Sequence, residues 1–321
     1  MARDPRFIPP ELIAVSGPLG PLIEVTTRTL HGRFLLRPSK DLTRITIGIL
    51  ARASRRYEVA VVGFVFLSNH YHLLVRTADV VRLAGFMGYL NGNLAKEAGR
   101  LHGWREKFWS RTYRAIPVSH EPEAQQERLR YLFGQGCKEG LVSRPQDWPG
   151  ASSITAQLEG GDLEGTWFDR SKEYESRRCG KRPAKFDFAS RERLRLHPPP
   201  LWDGIGEGEM RSEVAEITKE IVSDTRATFR RTGRKPLGPR RVRRQHPHAK
   251  PASSKRSPAP RFHAASWVVR RALEYSRWLF VILYRQAAEE LKRGNLAAVF
   301  PQNCFRPRLP LPRGPTEAVP A

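Results

Sequence analysis

Hydrophobic positions along the first half of the chain follow two alternating periods. Leu22 to Leu30 is rich in β-branched residues and suits a strand. Asp41 is placed to cap a helix reaching about Arg56, in which Leu42, Ile45, Ile49 and Leu50 share one face. Tyr57 to Leu67 is an apolar run that predicts a buried strand. Ser68-Asn69 then reads as a short turn, and His70 to Thr77 as a returning strand. Leu83, Phe86, Met87, Leu90 and Leu94 recur at helical spacing between Val80 and about Arg100. A short strand from Thr112 to Val118 and a helix from Pro122 toward Gln135 complete the series.

The order β-α-β-β-α-β, with one further helix, predicts an α+β fold. It is a ferredoxin-like antiparallel sheet with helices on one face, over residues 20–155. Residues 156–224 read as an accessory region with weak periodicity until Ser212–Ser223. Residues 225–260 form a basic Pro/Arg-rich linker, expected to be disordered when alone. Residues 261–300 hold a C-terminal helix from Arg261 to Arg293. Trp267, Leu273, Trp278, Ile282 and Leu291 supply its apolar side, and Gly294 its cap.

Charge narrows the choice of partner. The 321 residues carry 56 Lys and Arg against 32 Asp and Glu, a formal charge of +24. Between Thr225 and Leu273 there are 15 basic residues and no acidic one. Such a run suits a polyanion, because each neutralised phosphate releases counterions. No apolar stretch is long enough to span a bilayer, and the N-terminus has no signal-peptide core, so no membrane partner is expected. Cys137, Cys179 and Cys304 are far apart and without C-x-x-C spacing. That suggests neither a disulfide framework nor a zinc-thiolate site and fits a reducing cytoplasm.

Three local patterns could carry chemistry. His70 and His72 alternate with Tyr71 on a strand, so both imidazoles project to one side, about 7 Å apart along the face. Such a pair can grip one metal ion, although the spacing alone equally describes half-exposed strand histidines. His246-Pro247-His248 repeats that spacing inside the basic run and reads as charge and linker. Tyr131 and Gln135 are i and i+4 on one helical face, with Arg128 and Arg130 flanking the tyrosine. Taken alone, Tyr131 also fits a core position beside Leu129 and Leu132. Gly134 and Gly136 are expected to kink or end that helix. Trp104 to Arg111 interleaves aromatics with Arg and Lys, a pattern that can stack bases and hold phosphates or form a hydrophobic corner.

Three ordered blocks together resemble the HUH single-tyrosine transposases, particularly the REP-associated tyrosine transposases. They are Val65-Phe66-Leu67-Ser68-Asn69-His70-Tyr71-His72-Leu73-Leu74-Val75, Phe108-Trp109-Ser110-Arg111-Thr112-Tyr113, and Arg130-Tyr131 with Lys138 to Val142 and Pro145 to Ser153. The resemblance covers residues 20–155. It implies a sheet on which the H-x-H strand and the tyrosine helix meet at a divalent metal, Mg2+ or Mn2+. His70 and His72 become metal ligands and Tyr131 the nucleophile. Gln135 becomes a third ligand where many relatives carry Asn, often followed by Pro. The implied reaction cuts and rejoins single-stranded or hairpin DNA through a 5′-phosphotyrosine, in a homodimer or monomer associated with the bacterial nucleoid. Arg111, Arg128, Arg130, Arg240, Arg241, Arg243 and Arg244 are the expected DNA contacts. The Gln135-Gly136 pair also admits an inactive, transposase-derived DNA-binding regulator. A replication nickase would bring a helicase domain or longer flanks, and a two-metal RNA hydrolase a carboxylate cluster near the histidines.

Overall fold

Local capping and strand pairing produce the expected series of elements. A computed structural model describes residues 6–184, 186–252 and 260–307. A short helix α1 (Pro10–Val15) precedes β1 (Leu22–Arg28), α2 (Lys40–Tyr57), the hairpin β2 (Ala60–Phe66) and β3 (His70–Arg76), α3 (Val80–His102) and β4 (Arg114–Pro117). The four strands form one antiparallel sheet in the order β2-β3-β1-β4, the ferredoxin-like arrangement. Ser39, rather than Asp41, caps α2, and its side chain accepts from the Leu42 N–H at 3.1 Å. Asp41 instead lies in the first turn, where its charge complements the helix dipole.

Strand alternation divides the sheet between two cores. Ile23, Val25, Phe66, Tyr71, Leu73 and Val75 join Ile49, Leu83, Phe86 and Leu90 of α2 and α3 on one face. On the other, Leu22, Val62, Val65 and Leu74 meet α4 (Pro122–Phe133) and α5 (Gln135–Lys138). The two ferredoxin helices thus share one face as expected. The helix that follows covers part of the opposite face and leaves the rest open.

The accessory region has structure that weak periodicity did not predict. It contains α6 (Ile154–Glu159), β5 (Leu163–Phe168), α7 (Arg170–Arg178), β6 (Ala189–Leu194) and the first part of α8 (Glu207–Thr232). Strands β5 and β6 pair antiparallel and lie directly on α2. A Cβ on Gly48 would stand 2.3 Å from the Thr166 carbonyl oxygen, so only glycine permits this approach. Arg52 and Arg55 of α2 pair with buried Glu192 of β6 at 2.9 and 2.8 Å.

The basic run departs most from expectation. Instead of a disordered linker over 225–260, its described part is ordered: α8 continues to Thr232 and α9 (Pro239–Arg244) follows. Local polarity concealed one apolar anchor, Val242, which is fully buried in the second core. Backbone pairing adds to it, with the N–H groups of Leu237 and Gly238 donating to the Gly140 and Leu141 carbonyls at 3.0 and 2.9 Å. Arg37 donates to the Arg243 carbonyl at 2.9 Å. Residues 253–259 of the expected linker lie outside the described residues. The last helix, α10 (Trp267–Lys292), begins later than expected because Ser266 caps it. Residues ahead of it run instead beside the end of β4, with a bridge between Val118 and His263. Among the described residues, no helix is long and apolar enough to cross a membrane.

Candidate active site

The uncovered half of the second sheet face carries the polar residues of three strands. Register places Thr26 opposite His72 and Arg28 opposite His70, so Glu24, Thr26 and Arg28 line up beside the two histidines. The rings of His70 and His72 lie 5.3 Å apart. His72 Nδ1 donates to Glu24 Oε1 at 2.9 Å. His70 Nδ1 donates to Asn69 Oδ1 at 2.6 Å, and Asn69 Nδ2 donates to the Gly32 carbonyl, which fixes the amide orientation. Carboxylate and carboxamide oxygens can only accept, so each Nδ1 carries the proton. The lone pair of each neutral ring is thereby left on Nε2. Two imidazoles in one tautomer, with their second nitrogens held by oxygen acceptors, have the form of metal-ligating histidines.

Electrostatics support the neutral form of His70. Burial, then the neighbouring His72 and Arg28, push the His70 pKa down to about 3. For Glu24, burial works to raise the pKa. The contacts from His263 and His72 outweigh it and hold the carboxyl well below the usual range.

Helix α4 crosses the same face and delivers Tyr131. Its ring centroid is 5.3 Å from that of His72, with the planes crossed at 79°. The Arg128 guanidinium lies 4.7 Å from the Tyr131 ring centroid, and Lys138 of α5 lies 4.4 Å away. Arg128 also pairs with Glu127 and, at 3.5 Å, with Glu24. Arg130 turns away from the tyrosine to Glu220 and Asp224 of α8, at 2.8 and 2.5 Å. Gly134 ends α4, and Gln135 opens α5 at 1% exposure. Its Nε2 donates to the Tyr131 carbonyl at 2.9 Å, so the expected kink keeps Gln135 beneath the tyrosine.

Glu24, His72, Arg128 and Tyr131 border an open cleft of about 1200 Å³, with Arg28, Arg111, Arg114, Lys250 and Arg270 among its walls; His70 and Gln135 lie behind that lining. Arg240, Arg241, Arg243 and Arg244 are exposed on α9 and do not line it. From the aromatic block, Arg111 reaches the cleft, whereas Trp109 donates to the Asn91 carbonyl and packs edge-on against Tyr71. Among the described residues, no three His, Cys, Asp or Glu side chains are grouped to hold a metal. Sequence reasoning missed Glu24, Lys138, Lys250 and His263. Only Glu24 left a readable signal, as an acid within the β-branched run of β1.

Residues 38–131 match the family model described as transposase, IS200 like. Among solved structures the chain is similar to a REP-associated tyrosine transposase bound to a REP hairpin. Identity is 15% and the TM-score 0.36, over 45% of this chain and 82% of that one. It is also similar to a chain named as a transposase from Deinococcus radiodurans R1. There identity is 16% and the TM-score 0.26, over 33% and 85%. A comparison with curated proteins gives no match. The single-tyrosine transposase resemblance read from the sequence thus holds as a match to the IS200-like transposase family, over the segment that carries His70, His72 and Tyr131.

Proposed function

We propose that this protein cuts and rejoins single-stranded or hairpin DNA, with Tyr131 as nucleophile and a divalent ion, Mg2+ or Mn2+, held by His70 and His72. The observation that carries this reading is the meeting of Tyr131 with two like-tautomer histidines beside a basic cleft. Gln135 is the proposed third ligand, its nitrogen being the atom spent on the Tyr131 carbonyl. A divalent ion at these residues would polarise the scissile phosphate and offset charge developing in the transition state.

The chain's own groups account for the remaining work. Tyr131 Oη forms a bond to phosphorus as the P–O3′ bond breaks. The phenol loses its proton and the departing 3′ oxygen gains one. The resulting 5′-phosphotyrosine retains the ester's energy, so rejoining to another 3′-OH needs no ATP. Arg111 and Arg128 would hold phosphates near the reacting bond. The α9 arginines Arg240, Arg241, Arg243 and Arg244 would grip the flanking duplex of a hairpin, whereas Arg130, expected as a DNA contact, is taken up by Glu220 and Asp224. One nucleophilic tyrosine per chain means that exchanging two strands takes a homodimer or successive reactions of a monomer. The proposed setting is the bacterial nucleoid.

Incubation with labelled hairpin and single-stranded oligonucleotides in Mn2+ or Mg2+ tests the reading on a denaturing gel. A covalent adduct is expected from the wild type and none from Tyr131→Phe. Survival of the adduct in Tyr131→Phe would sink the nucleophile assignment and move attention to Tyr113. Tight hairpin binding with no adduct from the wild type would leave a transposase-derived regulator.

A further inference from the structure

The chain beyond α9 returns to the site from the opposite edge of the sheet. Phe262 is buried with Leu12 of α1 and Leu273 of α10. The His263 N–H donates to the Pro117 carbonyl at 3.0 Å, and the His263 carbonyl accepts from the Ser119 N–H at 2.8 Å. Two residues on, the N–H groups of Ala265 and Ser266 donate to the Glu121 carboxylate at 2.9 and 2.8 Å. Residues 262–266 are thus pinned by an apolar anchor, a strand edge and a charged cap. Little freedom remains to the His263 ring, whose side chain is 12% exposed.

That ring stands with Nε2 2.7 Å from Glu24 Oε2, while the other oxygen of the same carboxylate takes the His72 Nδ1 proton at 2.9 Å. Arg128 is the next group on Glu24, at 3.5 Å. His72 holds Oε1, and on Oε2 the 2.7 Å ion-pair contact of His263 is much closer than the 3.5 Å Arg128 bond, so its loss leaves the carboxylate freer to rotate away from His72. We infer that His263 is a positioning residue that acts through Glu24 to lock His72 in its Nδ1–H tautomer and ring orientation. The segment beyond the transposase-like match therefore completes the metal-holding face. This rests on the reading of His72 as a metal ligand. Partners of this kind, one shell removed from a metal, typically contribute 10–100-fold to affinity, about the effect expected here.

The test uses the full chain and two readouts that do not depend on DNA cleavage. Mn2+ binding is titrated by the paramagnetic signal of the free ion, and the His72 tautomer is read from its ring 15N shifts in metal-free protein. His263→Phe keeps a ring in the socket but removes the donor. It should weaken Mn2+ binding about 10-fold or more and mix the His72 tautomers, at an unchanged Tm. His263→Gln restores an N–H donor and should recover most of the affinity. Should the phenylalanine variant fold poorly, His263→Leu carries the same expectation. Wild-type Mn2+ affinity and a pure Nδ1–H tautomer in a folded donor-less variant would overturn the inference. So would an affinity loss that only tracks a fall in Tm and is not recovered by His263→Gln. Failure of the cleavage reading shows separately: no wild-type adduct, with the tautomer response intact, removes the reaction but not the positioning.

Discussion

His70 with His72 and His246 with His248 share a spacing, and their ring pairs have the same centroid separation of 5.3 Å, crossed at 80° and 86°. Their nitrogens are nevertheless used in opposite ways. In the strand pair, Asn69 and Glu24 take both Nδ1 protons and leave two Nε2 lone pairs. In the second pair the His248 backbone N–H points at His246 Nδ1, 3.3 Å away, so that lone pair is spent. His248 Nε2 bonds to the His102 carbonyl at 2.9 Å, and its ring packs on Trp104. The second pair is a brace for the basic run, alongside Ser68–Gln245 at 2.6 Å and the Arg33–His248 carbonyl contact. Spacing and ring proximity do not make a metal grip. The acceptors that choose the tautomer do, and they come from other parts of the chain.

The sharpest way to break this contrast is to remove each pair in turn. His70→Ala or His72→Ala should cut adduct formation below about 1% of wild type, the scale of losing a main transition-state stabiliser. Joint replacement of His246 and His248 by Ala should leave it within about twofold, the range of a surface change. Equal losses from both pairs on the denaturing gel would erase the distinction.

Glu24→Gln probes the acceptor itself. It preserves shape but weakens the hold on the His72 proton, and Mn2+ affinity should fall by about 10–100-fold in a direct titration. Unchanged affinity would mean that the tautomer is set elsewhere.

A pH series of metal-free unfolding tests the buried, neutral state of His70. Between about 3 and the ordinary histidine value of 6.5, the unfolded chain binds a proton at His70 that the folded chain refuses. Its contribution to stability is therefore full above 6.5 and declines as pH falls toward 3. Glu24, depressed below the carboxylate range, adds to that loss below its ordinary 4.5. The urea midpoint should drop from pH 7 to pH 4, and less steeply in His70→Asn. Parallel slopes for the two proteins would contradict the burial of a neutral His70.

The smallest expected effect concerns the basic run around the second pair. Arg240→Ala with Arg241→Ala should flatten the salt dependence of hairpin binding by about 0.9 in log–log slope per lost duplex phosphate contact. An unaltered slope would leave α9 as packing alone, held by Val242.

Much of the fold was legible because period and capping are local. The apolar runs around β2 and α3 announced themselves, and the H-x-H pair falls on one face of any strand. The β5–β6 hairpin was not legible, because its stability comes from Gly48 and Gly165 allowing backbone contact with α2 rather than from its own pattern. The basic run misled for a related reason: one buried valine among seven arginines of residues 230–244 carries little weight in composition. In the site, Arg128 and Arg130 looked equivalent beside Tyr131. Only packing against α8 sends Arg130 to Glu220 and Asp224 and leaves Arg128 with the tyrosine.

By itself the sequence determined the order of strands and helices as far as α4, the shared face of His70 and His72, and the helical pairing of Tyr131 with Gln135. These follow from backbone geometry within a few residues. The tertiary structure alone decided that Glu24, His72, Tyr131 and His263 meet, and which nitrogen of each strand histidine is left free. Those positions lie on separate elements, and no periodicity along a chain records which side chains face one another across a sheet.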